Sequence, residues 1–207
     1  MNKQGMLIVI SGFSGVGKGT AAKKLVEKYG YSLSVSATTR APRDGEVDGR
    51  EYYFKTVEEF RNLIDYNGFI EYAQYVENYY GTPRAYVEQE LALGHNVILE
   101  IEVDGALQIK EQYKDAILIF ISAVSAKELK DRLTGRGTEE PEVIAKRMNR
   151  AKEEALSISN YEYFVINQDG RLEQCVDQIH AIVTAKRQDI RFWTDDIIEM
   201  QNELKTM

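Results

Sequence analysis

One cysteine, three prolines and two histidines stand among 207 residues, and each scarcity removes a class of protein. Cys175 has no partner for an internal disulfide, and with no CxxC pair or Cys/His cluster the chain offers no zinc-ligand spacing. That usage suits a reducing, cytoplasmic compartment. Few prolines, with 43% hydrophobic and 29% charged residues, exclude a disordered or collagen-like chain. Long apolar runs are missing too. Met6–Ile10 and Ala116–Ile121 are too short to span a bilayer, and the first is too short for the apolar segment of a secretory signal. Excess positive charge is also absent: 26 basic against 33 acidic residues give a net charge of −7. Such a chain repels nucleic acid and anionic membrane, so neither is expected as a partner, and any phosphate it binds must be held locally.

What is present is an alternation. Met6–Ser11, Val97–Ile101, Ala116–Ile121 and, more weakly, Tyr163–Ile166 read as buried strands separated by helix-length segments. Ser125-Ala-Lys-Glu128 is a capping box, and Pro141 suits the first turn of a helix with Val143, Ile144, Met148, Ala151 and Ala155 on one face. Strands alternating with helices predict an α/β fold with a parallel sheet flanked by helices. From about Ser32 to Tyr86 the rhythm breaks into tyrosine-rich β-like pieces, charged turns and one helix opened by the capping box Thr56-Val-Glu-Glu59. This reads as a small mixed α+β insertion on the parallel core. The segment from about Arg171 to Met207 reads as helical throughout.

Gly12-Phe-Ser-Gly-Val-Gly-Lys18 directly follows the first strand and precedes a helix-length segment, the context a phosphate-binding loop requires. Glycines let successive N–H groups turn inward, and with the helix N-terminus and the Lys18 ammonium they cradle nucleotide phosphates. Gly12, Ser14, Gly15, Val16, Gly17, Lys18, Gly19 and Thr20 are therefore the candidate ATP site. The strict pattern places Ser or Thr directly after the lysine. Here Gly19 stands there and the hydroxyl arrives at Thr20, the candidate Mg²⁺ contact, directly or through water.

At Ser34-Val-Ser-Ala-Thr-Thr-Arg-Ala-Pro-Arg-Asp-Gly-Glu46 and Asp48-Gly-Arg-Glu-Tyr-Tyr-Phe54 the chain closely resembles guanylate kinases. Phe69-Ile-Glu-Tyr-Ala73, Asn78-Tyr-Tyr-Gly-Thr82 and Gly135-Arg-Gly-Thr138 agree in order and spacing, so the likeness spans roughly Leu7 to Asn167. The resemblance implies Mg²⁺-dependent phosphoryl transfer from ATP to GMP, and to dGMP. It also implies one domain: a core at about 1–33, 87–134 and 160–190, a GMP-binding insertion at about 34–86, a lid at about 135–159 and a helical tail at about 185–207.

Carried over residue by residue, the resemblance sets Arg40, Arg43, Tyr52 and Tyr80 on the GMP phosphate, where guanidinium forks and phenol hydroxyls donate to a dianion. It sets Glu71, Ser36 and Thr82 on the guanine, since a carboxylate accepts from both the ring N1–H and the exocyclic amine. Asn167 falls on the adenine side. Read from the residues themselves, Arg136, between Gly135 and Gly137, sits on a segment able to swing it over the transferring phosphates with Lys18, and Arg132 and Arg147 lie on the flanking helical segments to join it; the alternative is a solvated lid face, a stronger rival for Arg132 than for Arg136. Tyr72, Tyr75 and Tyr79 read as packing. Three positions depart from the family pattern: Phe13 replaces a proline, Glu102 an aspartate and Asp104 a glutamine. Glu102 keeps the charge near the guanine or Mg²⁺ with one more methylene of reach, and the neighbouring Glu100 shares that placement. His95 reads as a loop residue and His180 as a helical one, with no catalytic role for either; a dianionic phosphate acceptor needs no strong base.

Two other readings stay open. Guanylate-kinase-like domains of scaffold proteins bind phosphopeptides without catalysis, and other nucleoside monophosphate kinases share the loop. The intact Gly12–Thr20 loop speaks against the first.

Overall fold

A computed structural model describes residues 4–75, 77–135 and 141–207. Strands β1 (Leu7–Gly12), β2 (Ser32–Leu33), β7 (Val97–Glu100), β8 (Ile117–Ser122) and β9 (Tyr163–Ile166) form one sheet in the order β2-β7-β1-β8-β9. Every pairing in it is parallel. The central strands read as unbroken apolar runs because both faces are covered. Along β1, Ile8 and Ile10 pack with Ala21, Ala22 and Leu25 of α1 (Lys18–Tyr29) and with Val176, Ile179 and Val183 of α7 (Leu172–Lys186). Leu7 and Val9 pack on the opposite face with Val87 and Leu91 of α3 (Arg84–Ala92) and Ala106 and Ile109 of α4 (Val103–Gln112). Cys175 lies in the first of these layers, where burial pushes its thiol up to about 11 and keeps it unreactive.

A second sheet rises from this core. It contains β3 (Ala37–Thr38), β4 (Tyr53–Phe54), β5 (Phe69–Tyr75) and β6 (Asn78–Pro83) in the order β4-β3-β6-β5. Helix α2 (Val57–Asp65) packs Phe60 against Phe69 and Ala37. Its capping box closes in both directions: Glu59 N donates to Thr56 Oγ1 at 3.1 Å and Thr56 N to Glu59 Oε2 at 2.7 Å. Tyr79 stacks on Phe60 as a packing residue, whereas Tyr72 is 42% exposed and only tilts over Phe69.

Helices α5 (Ala126–Gly135) and α6 (Pro141–Leu156) follow β8. Only half of the Ser125 box forms: Glu128 N donates to Ser125 Oγ, while the Glu128 carboxylate turns away to Arg132 and to Asp169 N. On α6, Ile144, Met148 and Ala151 face the core, but Val143 and Ala155 are exposed and Glu154 is buried instead. The C-terminal segment is not one helix. α7 stops at Lys186 and a 3₁₀ turn (Ile190–Trp193) intervenes before α8 (Thr194–Thr206). Asp189 caps the turn by accepting from Arg191 N, and Trp193 Nε1 folds back to Arg187 O at 3.1 Å. His180 stacks on Tyr29 and His95 pairs with Glu90, both away from the phosphate loop.

Candidate active site

The carboxyl ends of β1, β7, β8 and β9 gather at one edge of the parallel sheet, where ligands bind in open α/β folds. From β1 the chain turns through Gly15 and Gly17, both at φ 89°, into α1, whose first N–H groups no side chain caps. Lys18 Nζ donates to Gly12 O at 2.7 Å and to Phe13 O at 3.4 Å across this loop. Phe13 fastens the loop to the sheet, its ring edge-on to Phe120 at 5.0 Å. Outside the loop, Asn167 Nδ2 donates to Val16 O at 2.7 Å, and Arg132 reaches both Val16 O and Asn167 O. These two side chains, with Gly15, Gly17 and Thr20, border an open cleft of about 640 Å³.

A narrower cavity of about 310 Å³ lies between the two sheets. Lys18, Ser36, Tyr52, Glu71, Tyr80 and Glu102 line it, with Glu100, Asp104, Arg50 and Arg150. Lys18 thus faces this cavity from the phosphate loop. Glu71 is 5% exposed, and Thr82 Oγ1 donates to its Oε1 at 2.5 Å. Burial raises the Glu71 carboxyl to about 7, against the opposing pull of Thr82. Tyr52 and Tyr80 meet edge to face at 6.0 Å. Arg40 and Arg43 stand outside the lining. Arg40 lies over the Tyr52 ring and pairs with Glu46 at 2.9 Å; Arg43 is exposed, its backbone N bonded to the same Glu46.

The acidic flank was only partly readable. A Cβ at residue 19, where the strict loop pattern has a hydroxyl residue, would stand 3.1 Å from Glu100 Oε2, so the Glu100 carboxylate lies close over the start of α1. Burial raises the Glu100 carboxyl, Lys18 lowers it and Glu102 raises it again. Glu154 of α6 is 5% exposed and raised to about 7 by burial and then by Glu102, with Arg150 Nε 3.4 Å from its Oε1. Arg50 lies in the Asp48–Phe54 motif without an assigned role, and Arg150 and Glu154 carry no motif; only the packing of α6 and the turn before β4 brings them here. Arg147 is half-buried on α6 and borders neither cavity; Arg136 lies outside the described residues. The oxygens of Thr20, Glu100 and Glu102 are hard donors of the kind Mg²⁺ takes. Among the described residues no group of three or more His, Cys, Asp or Glu forms a closed metal cage.

The sequence model of guanylate kinase matches residues 4–186. The chain belongs to the guanylate kinase family. A guanylate kinase of Lactiplantibacillus plantarum is 46% identical over 208 residues, all of both chains, and one of Streptococcus thermophilus is 51% identical over 188 residues, 90% of this chain and 89% of its own. The crystal structure of a guanylate kinase from Anaplasma phagocytophilum superposes with a TM-score of 0.74 at 31% identity, covering 91% of this chain and 89% of that one. Membership brings nucleotide binding and kinase chemistry to this chain. Lys18, at the end of the Gly12–Lys18 turn, and residues of the 34–86 segment line one cavity. No helix among the described residues is long and apolar enough to cross a membrane.

Proposed function

We propose that the chain transfers the γ-phosphoryl group of ATP to GMP or dGMP, giving ADP and GDP or dGDP, in the cytoplasm. The observation that carries this reading is Glu71: a buried carboxylate, fixed by Thr82, in a cavity that shares Lys18 with the phosphate loop. An ionised carboxylate there accepts from guanine N1–H and the 2-amino group together, with Ser36 and Thr82 as the remaining base contacts. Adenine offers a lone pair at N1 and no amine at C2, so it leaves the carboxylate unsatisfied, a mismatch that costs far more than a missing apolar contact.

In this reading the loop N–H groups of residues 15–20 and Lys18 hold the ATP phosphates, and Asn167 flanks the adenine side. Arg40, Arg43, Tyr52 and Tyr80 hold the GMP phosphate; the two arginines reach it once Glu46 yields its contacts. GMP is mostly dianionic at neutral pH, its second pKa being about 6, so it attacks without a general base. The residues' task is to align two anions and compensate charge, the part given to Lys18, Arg136 and Arg147, while Arg132 braces the loop through Val16 O and Asn167 O. Thr20 and Glu102 would hold Mg²⁺, which supplies charge neutralisation at the phosphates. The insertion at 34–86 and the lid at 135–159 bring the substrates together and exclude water that would otherwise take the phosphoryl group.

A coupled assay of ADP release with GMP, dGMP, AMP and UMP tests this. GMP and dGMP should turn over and AMP and UMP should not. Equal rates with AMP would make the chain a kinase of other base preference, and no turnover with tight phosphopeptide binding would make it a recognition module.

A further inference from the structure

Among the described residues β5 is the outer strand of the second sheet, paired with β6 on one side only. An outer strand presents alternate N–H and C=O groups with no strand partner. Here α4, a helix of the parallel-sheet layer, supplies the partners. Gln112 Nε2 donates to Ile70 O at 2.9 Å. Gln108 Nε2 donates to Tyr72 O at 2.9 Å, and Tyr72 N donates back to Gln108 Oε1 at 3.3 Å. Two glutamines four apart on a helix are spaced about 6 Å along its axis, and strand residues two apart about 6.8 Å. One helical face therefore reads successive outward positions of the strand.

The residue between those positions is Glu71. It pairs across the sheet with Thr82, whose hydroxyl bonds its carboxylate, and the register slips by one residue just before it, between Phe69 and Glu71. A slip of this kind leaves a backbone group without a ladder partner, and Gln112 takes the carbonyl of Ile70. α4 also opens beside the loop: Glu102 and Asp104 at its start line the cavity that holds Lys18.

We infer that Gln108 and Gln112 are positioning residues for base recognition: they fasten the strand carrying Glu71 to α4 and so set the depth of its carboxylate relative to Lys18. The inference rests on the reading of Glu71 as the guanine contact. Neither glutamine lines the cavity, so their effect is through alignment, to which recognition geometry is sensitive at the level of an ångström.

The test uses Gln108→Leu, Gln112→Leu and the double variant, with amide hydrogen exchange at Tyr72 and steady-state kinetics with GMP, IMP and ATP. IMP lacks the 2-amino group and so reports on the carboxylate's alignment. For Gln108→Leu, Tyr72 exchange should quicken about tenfold and KM for GMP rise about tenfold, as expected for the loss of two hydrogen bonds. The preference for GMP over IMP should shrink, with kcat and KM for ATP held within about twofold. Should Gln108→Leu fail to fold, Gln108→Met keeps the length, loses both the acceptor of Tyr72 N–H and the donor to Tyr72 O, and carries the same comparison. Unchanged Tyr72 exchange would overturn the clamp. Faster exchange with unaltered GMP kinetics and GMP/IMP preference would reduce it to a cover for the strand edge. A parent protein that uses AMP as readily as GMP would instead overturn the reading of Glu71, while the exchange rates still decide whether the clamp exists.

Discussion

The carboxylate of Glu71 lies so close to the backbone of Gly105 that a Cβ at residue 105 would stand 2.4 Å from its Oε2. Gly105 sits in the first turn of α4, where the helix dipole favours a negative charge. The pair joins the second sheet to the parallel core at the point where base recognition is proposed.

Gly105→Ala therefore sets two effects against each other. Alanine gains roughly 1 kcal/mol of helix propensity, but its methyl group must displace a buried, hydrogen-bonded carboxylate, and such overpacking costs about 1–3 kcal/mol. The displacement wins. The variant should lose about tenfold or more in kcat/KM for GMP with KM for ATP unchanged, and its Tm should fall by a few degrees. Parallel GMP and ATP titrations with a thermal melt check this; unaltered GMP kinetics would show that Glu71 relaxes freely.

Glu71→Gln should separate stability from function. In the folded protein the carboxyl is raised to about 7, above its ordinary 4.5, so the folded state holds the proton more tightly than the unfolded chain. Stability contributed at this position is present at acid pH and is lost as pH rises from about 4.5 to about 7, a loss on the order of 3 kcal/mol at 1.36 kcal/mol per unit. Glutamine carries no charge to desolvate. The variant should be more stable than the parent at pH 8 and nearly equal to it at pH 5, while kcat/KM for GMP drops by roughly 10²-fold or more. Denaturant melts at both pH values measure the difference, and a variant less stable at pH 8 would contradict the burial argument.

The same carboxyl predicts a pH profile for the free enzyme. With a value of about 7, about a quarter of Glu71 is ionised at pH 6.5 and about nine-tenths at pH 8, so KM for GMP should rise about fourfold as pH falls between them. A protonated carboxyl no longer accepts from both guanine N–H groups. GMP itself remains mostly dianionic over that interval, and Glu71→Gln should flatten the profile. A parent profile that matches the Gln variant would remove Glu71 as the titrating group.

Local chemistry was legible and tertiary placement was not. The phosphate loop could be read because strand, glycine turn and helix start are contiguous from Leu7 to Thr20, and the buried strands because both faces of a parallel sheet demand apolar side chains. The Thr56 box could be read for the same reason. Ser125 shows the limit: its motif is equally good, but Glu128 finds Arg132 and Asp169 N, partners no local pattern announces. Glu154 and Arg150 look like a solvated helix face until α6 docks, and Gln108 and Gln112 read as surface polar residues until α4 meets the edge of β5. The break after Lys186 depends on Asp189 and Trp193 bonding back to their own turn, which helical periodicity does not reveal. Glu71 itself was assigned by resemblance; its burial and its contact with Thr82 are what give that assignment a physical basis.

Two cations on the phosphate loop should fail in different ways. Lys18 Nζ donates to the carbonyls of Gly12 and Phe13, across the mouth of the loop, whereas Arg132 bonds Val16 O, Asn167 O and Glu128 and is 17% exposed. Lys18→Ala removes charge from the transferring phosphates and no packing, so kcat should fall by about 10²-fold or more while the Tm stays within a degree or two. Arg132→Ala takes the support from behind the loop and leaves two carbonyls short of donors. It should lower stability by about 1–2 kcal/mol and raise KM for ATP roughly tenfold, with a smaller change in kcat. Asn167→Ala, which frees the same Val16 carbonyl, should share that pattern. Kinetics and melts on the three variants decide the matter: an Arg132→Ala enzyme that keeps its Tm and its ATP affinity but loses kcat as Lys18→Ala does would return Arg132 to the transition-state role beside Arg136 and leave Asn167 alone to brace the loop.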